Sequence, residues 1–456
     1  MSQAKIARAA DHPRRALIAQ ATPILVGQLA VMANGLVDSV MAGRAGSEVL
    51  AAMAVGSSIY ISLYVGLMGV LIGLTPICSG HYGAGRYDEV AKDAQQGIWI
   101  ALFMSVPGLL VLFNPDFIFR LTDTPPEITS QASGYMAGIA VGLPAALVFR
   151  VFYAMSQSIS RPGVVMGLQV LMLALKVPLN LWLMHGGWGV PALGAAGFGW
   201  ATGITMWVVL AISLCIWFGS EHYAQFRPRG FVWPHWDRLK AILKLGLPIG
   251  GAYLIEVTSF TFIALLVSRF GVHQVGGHQI VSNMAAVAYM MCLAMGNATT
   301  VMAAQQLGAG SPKVAAAMVR KGLELAMLIA LGVCLLFYTA GDWLIAAYTR
   351  DDSTRAVALA LLPWVIAYHF IDALQTVCSF SLRAYKVSGR PLAIYGVSLW
   401  GVGIGGGMWL GVWADQPLQA EGFWIASLAG LVLAGVCLAG LLLVTIRKSL
   451  RATTTL

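Results

Sequence analysis

The chain has 456 residues, of which 58% are hydrophobic and only 10% charged, with a formal net charge of +9. A soluble domain is roughly 45–50% apolar and about a quarter charged, and so few charges cannot cover a soluble fold of this length. Composition therefore excludes a soluble enzyme, a nucleic-acid binder and a disordered chain, and leaves a polytopic helical membrane protein.

A membrane-spanning helix needs about 20 apolar residues. Twelve segments provide them, over residues 16–41, 50–80, 92–113, 131–156, 162–184, 192–218, 241–268, 277–307, 314–340, 355–385, 391–413 and 420–446. The N-terminal stretch before the first is polar and basic and has no small-residue cleavage site, so the first span is expected to act as the insertion signal. Pro23, Pro144, Pro178, Pro248 and Pro363 fall inside segments and predict kinks where neighbours or a cavity satisfy the freed backbone. Six cysteines lie within apolar runs, with no metal or disulfide spacing, and read as small reduced core residues.

With the N-terminus inside, the same side gathers Lys5, Arg8, Arg14, Arg15, Arg86, Lys92, Arg161, Arg227, Arg229, Arg238, Lys240 and Lys244. Lys313, Arg320, Lys321, Arg383, Lys386, Arg390, Arg447, Lys448 and Arg451 join them. The opposite side keeps Arg44, Arg120, Arg269, Arg350 and Arg355, and its loops are acidic: Asp116, Asp123, Glu127, Asp342, Asp351, Asp352, Asp415 and Glu421. This bias predicts both termini in the cytoplasm. It also accounts for the basic net charge without a nucleic-acid partner.

The two halves share punctuation at an offset of 225 residues. Pro23-Ile24 falls on Pro248-Ile249, Arg44 and Gly46 on Arg269 and Gly271, and Gly83-Ala84-Gly85 on Gly308-Ala309-Gly310. Six spans per half make the halves parallel repeats. The expected organisation is all-α and integral to the membrane, with twelve transmembrane helices in two pseudo-symmetric six-helix bundles around a central cleft. Residues 1–217 form the N-lobe, 218–240 a cytoplasmic linker, and 241–456 the C-lobe. Such an arrangement suits a transporter working by alternating access.

Ionisable groups at membrane depth are expensive and mark function. Asp38 lies deep in the first span, Glu256 in the seventh, Asp372 in the tenth and Lys176 in the fifth. Arg150 and Glu324 sit nearer helix ends, where snorkelling or surface pairing is expected. Under the repeat offset Asp38 falls opposite Ile263, and Glu256 opposite Val31, so the chemistry of the halves is asymmetric. A carboxylate withdrawn from water can carry a proton, bind Na⁺ with other oxygens, or pair with a cationic substrate.

The chain resembles the multidrug and toxic-compound extrusion (MATE) transporters of the NorM-like branch over nearly its whole length. The signals are the Asp38 segment running into Met41-Ala-Gly43, Tyr82-Gly-Ala-Gly85 after the second span, Gly277-His-Gln-Ile280 opening the eighth, and Gln305-Gln-Leu-Gly-Ala-Gly310 closing it. The acids of the seventh and tenth spans complete the set. The resemblance implies a secondary active exporter of cationic or amphipathic drugs and dyes, driven by Na⁺ or H⁺ antiport, in a bacterial inner membrane. It implies no cofactor beyond the coupling ion, and a monomer in the lipid bilayer. It assigns Asp38 as the N-lobe proton-linked acid, with Asn180 and Thr202 as polar partners. Glu256 and Asp372 become the C-lobe cation (Na⁺) site, with Tyr289 assisting.

One departure stands out. Family members commonly have asparagine where this chain has Lys176, on the helix that should face Asp38. Its ammonium would pair with the carboxylate, fill the space of a bound cation and act as a tethered counter-ion. Tyr253, Phe260 and Met291 are candidates for an adaptable drug cavity, with ordinary helix packing the competing reading. His278 and His369 lack a second metal ligand and read as hydrogen-bonded core histidines. Five glycines between Gly401 and Gly407 predict close packing or bending. The competing function is a lipid or lipid-linked oligosaccharide flippase, which would favour a cationic cleft. No constellation for an intramembrane enzyme is present.

Overall fold

The computed structural model describes residues 2–121, 124–187 and 189–452. Asp123 and the side chains of Lys5 and Arg8, named above for topology, lie outside the described residues. Among the described residues, twelve helices are long and apolar enough to cross a membrane. They are α1 Pro13–Ala45, α2 Ser47–Gly83, α3 Tyr87–Phe113, α4 Pro126–Ser158, α5 Pro162–His185 and α6 Ala195–Gly219. The second half adds α7 Trp236–Phe270, α8 Val272–Gly308, α9 Pro312–Tyr348, α10 Asp352–Ala384, α11 Gly389–Trp413 and α12 Gln419–Ala452. A short helix over Ser2–Asp11 precedes them.

The apolar residues are not all inside. On α9, Leu328, Leu331 and Leu335 are 62%, 58% and 62% exposed along one face. Water would not tolerate that stripe, whereas lipid does. Exposed tryptophans at helix ends, including Trp343, Trp409 and Trp413, suit the interfacial belt.

The chain forms two compact units, Val26–Gly250 and Met1–Leu25 together with Gly251–Leu456. This corrects the expected lobe limits at two places, and the prolines mark both. Before Pro23, α1 and the short helix ahead of it belong to the second unit: Leu17 is fully buried in its core, Gln306 Nε2 donates to the Ile6 carbonyl at 3.0 Å, and Arg14 reaches Glu324 at 3.2 Å. Up to Gly250, α7 belongs to the first unit. There Arg238 donates to Glu89 at 2.5 Å and to Asp93 at 2.9 Å. The expected linker is likewise fixed within that unit, with Gln96 donating to the Trp233 carbonyl and Trp99 to that of Val232, each at 3.0 Å.

The repeat is visible in the backbone. Gly85 and Gly310 both close a helix with φ of 72°, and the following N–H of Arg86 or Ser311 reaches back to the carbonyl of His81 or Gln306 at 2.9 Å. Only a residue without Cβ adopts that left-handed turn freely. Helices α4 and α10 end alike on Ser160 (φ 57°) and Lys386 (φ 59°).

Small residues set the helix spacing. In α4, Gly138 and Gly142 lie against the backbone of Gly199 and Gly203 in α6, leaving no room for a side chain. This close approach carries Thr202 on α6 into the unit. In α11, Gly411 meets the backbone of Gly422 in α12. The glycine-rich stretch of α11 is wound as a π-helix over Gly396–Gly405 and again over Trp409–Trp413.

Candidate functional site

Two polar clusters sit within the spans, one in each unit. In the first, Lys176 and Asn180 are one helical turn apart on α5 and point the same way. Pro178 lies between them inside the helix. Lys176 Nζ is 3.0 Å from Asp38 Oδ2. Asn180 Nδ2 donates to Asp38 Oδ1 at 2.7 Å. Lys176 also donates to Thr202 Oγ1, whose own hydroxyl donates to the Phe198 carbonyl at 2.8 Å. Lys176 is 3% exposed and Asn180 fully buried. All four predicted residues of this half therefore meet. Both carboxylate oxygens are satisfied by the chain itself, which a largely buried pair requires.

In the second unit, Asp372 on α10 is buried, and its Oδ1 accepts from Gln375 Nε2 at 2.7 Å and from Thr376 Oγ1 at 3.4 Å. Gln375 is held in turn by the Tyr395 hydroxyl of α11, which donates to Oε1 at 2.5 Å. Glu256 on α7 adjoins Tyr289 on α8 and lies within the field of Asp372 and Arg383. Two carboxylates with the oxygens of Thr376 and Tyr289 are hard ligands of the kind an alkali cation takes. Among the described residues, no group of three or more His, Cys, Asp or Glu side chains gathers as a transition-metal site would.

Sequence reasoning missed Arg383, Gln375 and Tyr395. Arg383 falls among the cations of the cytoplasmic side in the sequence, yet it is buried at 6% exposure. Its guanidinium lies 3.7 Å from the Phe380 ring centroid and donates to the Tyr253 hydroxyl at 3.4 Å. The signal was available: positions 372, 376, 379 and 383 fall on one face of a helix with 3.6 residues per turn.

The proposed drug-cavity residues separate. Tyr253 is taken by Arg383 and buried, and Met291 packs against the unit's core. Phe260 borders a narrow cavity with His278, Tyr368 and Trp424. His278 is a hydrogen-bonded core histidine, accepting from Trp424 Nε1 at 3.2 Å, whereas buried His369 leaves its Nε2 without a partner. Glu324 pairs at the surface with Lys321 at 2.7 Å.

The MatE family model matches this chain twice, over residues 23–182 and 248–409. The two matches begin on Pro23 and Pro248, the pair that first indicated the repeat. The chain is similar to the probable multidrug resistance protein NorM of Aromatoleum aromaticum, with 36% identity over 95% of this chain and 94% of the relative. It is 32% identical to the multidrug resistance protein PmpM of Pseudomonas aeruginosa, over 92% of this chain and 89% of that one. The fold matches the bent form of the Vibrio cholerae MATE transporter VcmN with a TM-score of 0.84 at 20% identity, covering 97% of this chain and 99% of that one. Matched over both halves, and more than 30% identical to relatives along almost its entire length, the chain belongs to the MatE family of NorM-like multidrug and toxic-compound extrusion transporters.

Proposed function

We propose that this protein is a secondary active exporter of cationic or amphipathic compounds, powered by inward movement of Na⁺ or H⁺ and working by alternating access. The observation that carries this reading is the asymmetric distribution of charge between the units. The second unit holds two carboxylates, Glu256 and Asp372, among oxygen donors. A coupling cation entering there competes with a bound drug cation, and its differential affinity for two arrangements shifts their equilibrium. In the first unit Asp38 is the proton-linked acid, with Lys176 as a counter-ion that holds the place of a metal cation. The charge bias of the loops supports cytoplasmic termini in a bacterial inner membrane, and the protein acts as a monomer.

The test is gradient-driven dye efflux by Glu256→Gln and Asp372→Asn in proteoliposomes, with folding checked by thermal unfolding. Both variants are expected to lose coupled efflux. Full efflux by both, in folded protein, removes the acids from coupling.

A further inference from the structure

Arg150 lies in the second half of α4, inside the Val26–Gly250 unit. Surface pairing is one expectation for it, and no such pairing forms among the described residues. Its Nε is buried without a partner, and the guanidinium makes no hydrogen bond or ion pair among the described residues. What it has instead is the face of Tyr153, 4.3 Å from the guanidinium carbon to the ring centroid. A ring quadrupole compensates only part of the hydration such a cation gives up.

Among the described residues of the unit, no acid pairs with Arg150. The unit's deep carboxylate, Asp38, is already engaged by Lys176 and Asn180. Asp38, Lys176 and Arg150 together carry one positive charge in excess. The surroundings of Arg150 are also specific. Tyr64 lies within electrostatic reach of Arg150 and Tyr153, Tyr60 of Tyr64 and Tyr135, and Tyr135 of Asp38. Tyr60 and Tyr64 stack with ring centroids 5.4 Å apart and planes 15° apart. The Tyr153 hydroxyl is oriented by Gln28 Nε2, which donates to it at 3.2 Å. A guanidinium fork without an acid, against the buried ring of Tyr153 and near the half-exposed rings of Tyr60 and Tyr64, is complementary to an aromatic compound that carries a carboxylate.

We propose that Arg150 is the anchor for the carboxylate of aromatic acids and aromatic zwitterions, with the substrate rings laid along the tyrosines. The exporter reading supplies the consequence for transport, while binding stands apart from it. The site makes this unit a selector for compounds that purely cationic recognition would reject.

The experiment uses the full chain in lipid nanodiscs and two fluorescent probes, 6-aminomethyl-2-naphthoic acid and its methyl ester. They differ by one negative charge. The wild type is expected to bind the acid at least about tenfold more tightly than the ester. Arg150→Gln removes that preference and leaves ester binding unchanged. Arg150→Lys keeps the charge without the fork and retains only part of the preference. Equal binding of acid and ester by the wild type overturns the proposal without any variant. So does a full acid preference in Arg150→Lys or Arg150→Gln, or an equal loss for both probes in folded Arg150→Gln. Cationic dye efflux by the same wild-type protein reads the exporter function separately: efflux without acid preference overturns the anchor alone, and absence of efflux overturns the exporter reading.

Discussion

Lys176 and Asp38 form an ion pair inside one unit, 3.0 Å apart, with side chains only 4% and 13% exposed. A buried pair of this kind is dear to break and cheap to replace. Lys176→Met leaves a carboxylate without its cation and is expected to destabilise the protein by about 3–5 kcal/mol. The double variant Lys176→Met with Asp38→Asn is expected to recover most of that loss. Thermal unfolding in one detergent compares the three proteins. A single variant as stable as the wild type contradicts the pairing.

The functional side of the same pair is read by Lys176→Asn. Removing the ammonium opens the oxygen cluster of Asp38, Asn180 and Thr202 to an external cation. Dye efflux is expected to change in its ion dependence, its pH profile, or both. If neither moves, Lys176 is not a counter-ion in the transport cycle.

Arg238 ties the start of α7 to α3 through Glu89 and Asp93, while Gln96 holds the preceding segment at both ends of its amide. Arg238→Ala is expected to cost about 1 kcal/mol, since the guanidinium is partly solvated. The clearer readout is limited proteolysis: cleavage between residues 227 and 235 should quicken in Arg238→Ala and in Gln96→Leu. Unchanged cleavage in both variants shows that the segment is held by other contacts.

Asp351 caps α10, accepting the Thr354 N–H at 2.8 Å, and it adjoins His273 at 3.1 Å. The Thr354 hydroxyl and backbone N–H, with His273, hold its carboxyl below the ordinary value. A depressed carboxylate stabilises the fold at pH above the unfolded value of about 3.9, and the contribution fades as pH falls through the lower folded value. Asp351→Ala should therefore melt below the wild type at pH 7, and the gap should shrink in acid. A gap that is constant with pH assigns the effect to packing instead of the ionised cap.

The twelve spans were legible because hydropathy depends only on local composition. The Lys176–Asp38 contact was legible because an ammonium at membrane depth requires an anion, and the family resemblance implied that its helix faces Asp38. The first turns of α1 and α7 were not legible. Which unit the segments of Ile6 and Arg14, or of Arg238, pack into depends on partners 145 to 310 residues away, Gln306 and Glu324 for the former and Glu89 and Asp93 for the latter. Arg383 was misread for a different reason. A count of cations by loop ignores helical phase, and phase places Arg383 on the face of Asp372 and Thr376. Tyr253 and Met291 show the limit of residue type: an aromatic ring or a thioether fits a cavity and a core equally well.

An inward cation gradient is expected to drive the export of an amphipathic cation. This coupling is tested most directly by efflux of a cationic dye from proteoliposomes holding the purified wild-type chain, with Na⁺ and pH gradients imposed separately. Accelerated dye movement under at least one gradient, reversed when that gradient is reversed, is the predicted result. Dye retention under both gradients by folded protein contradicts it.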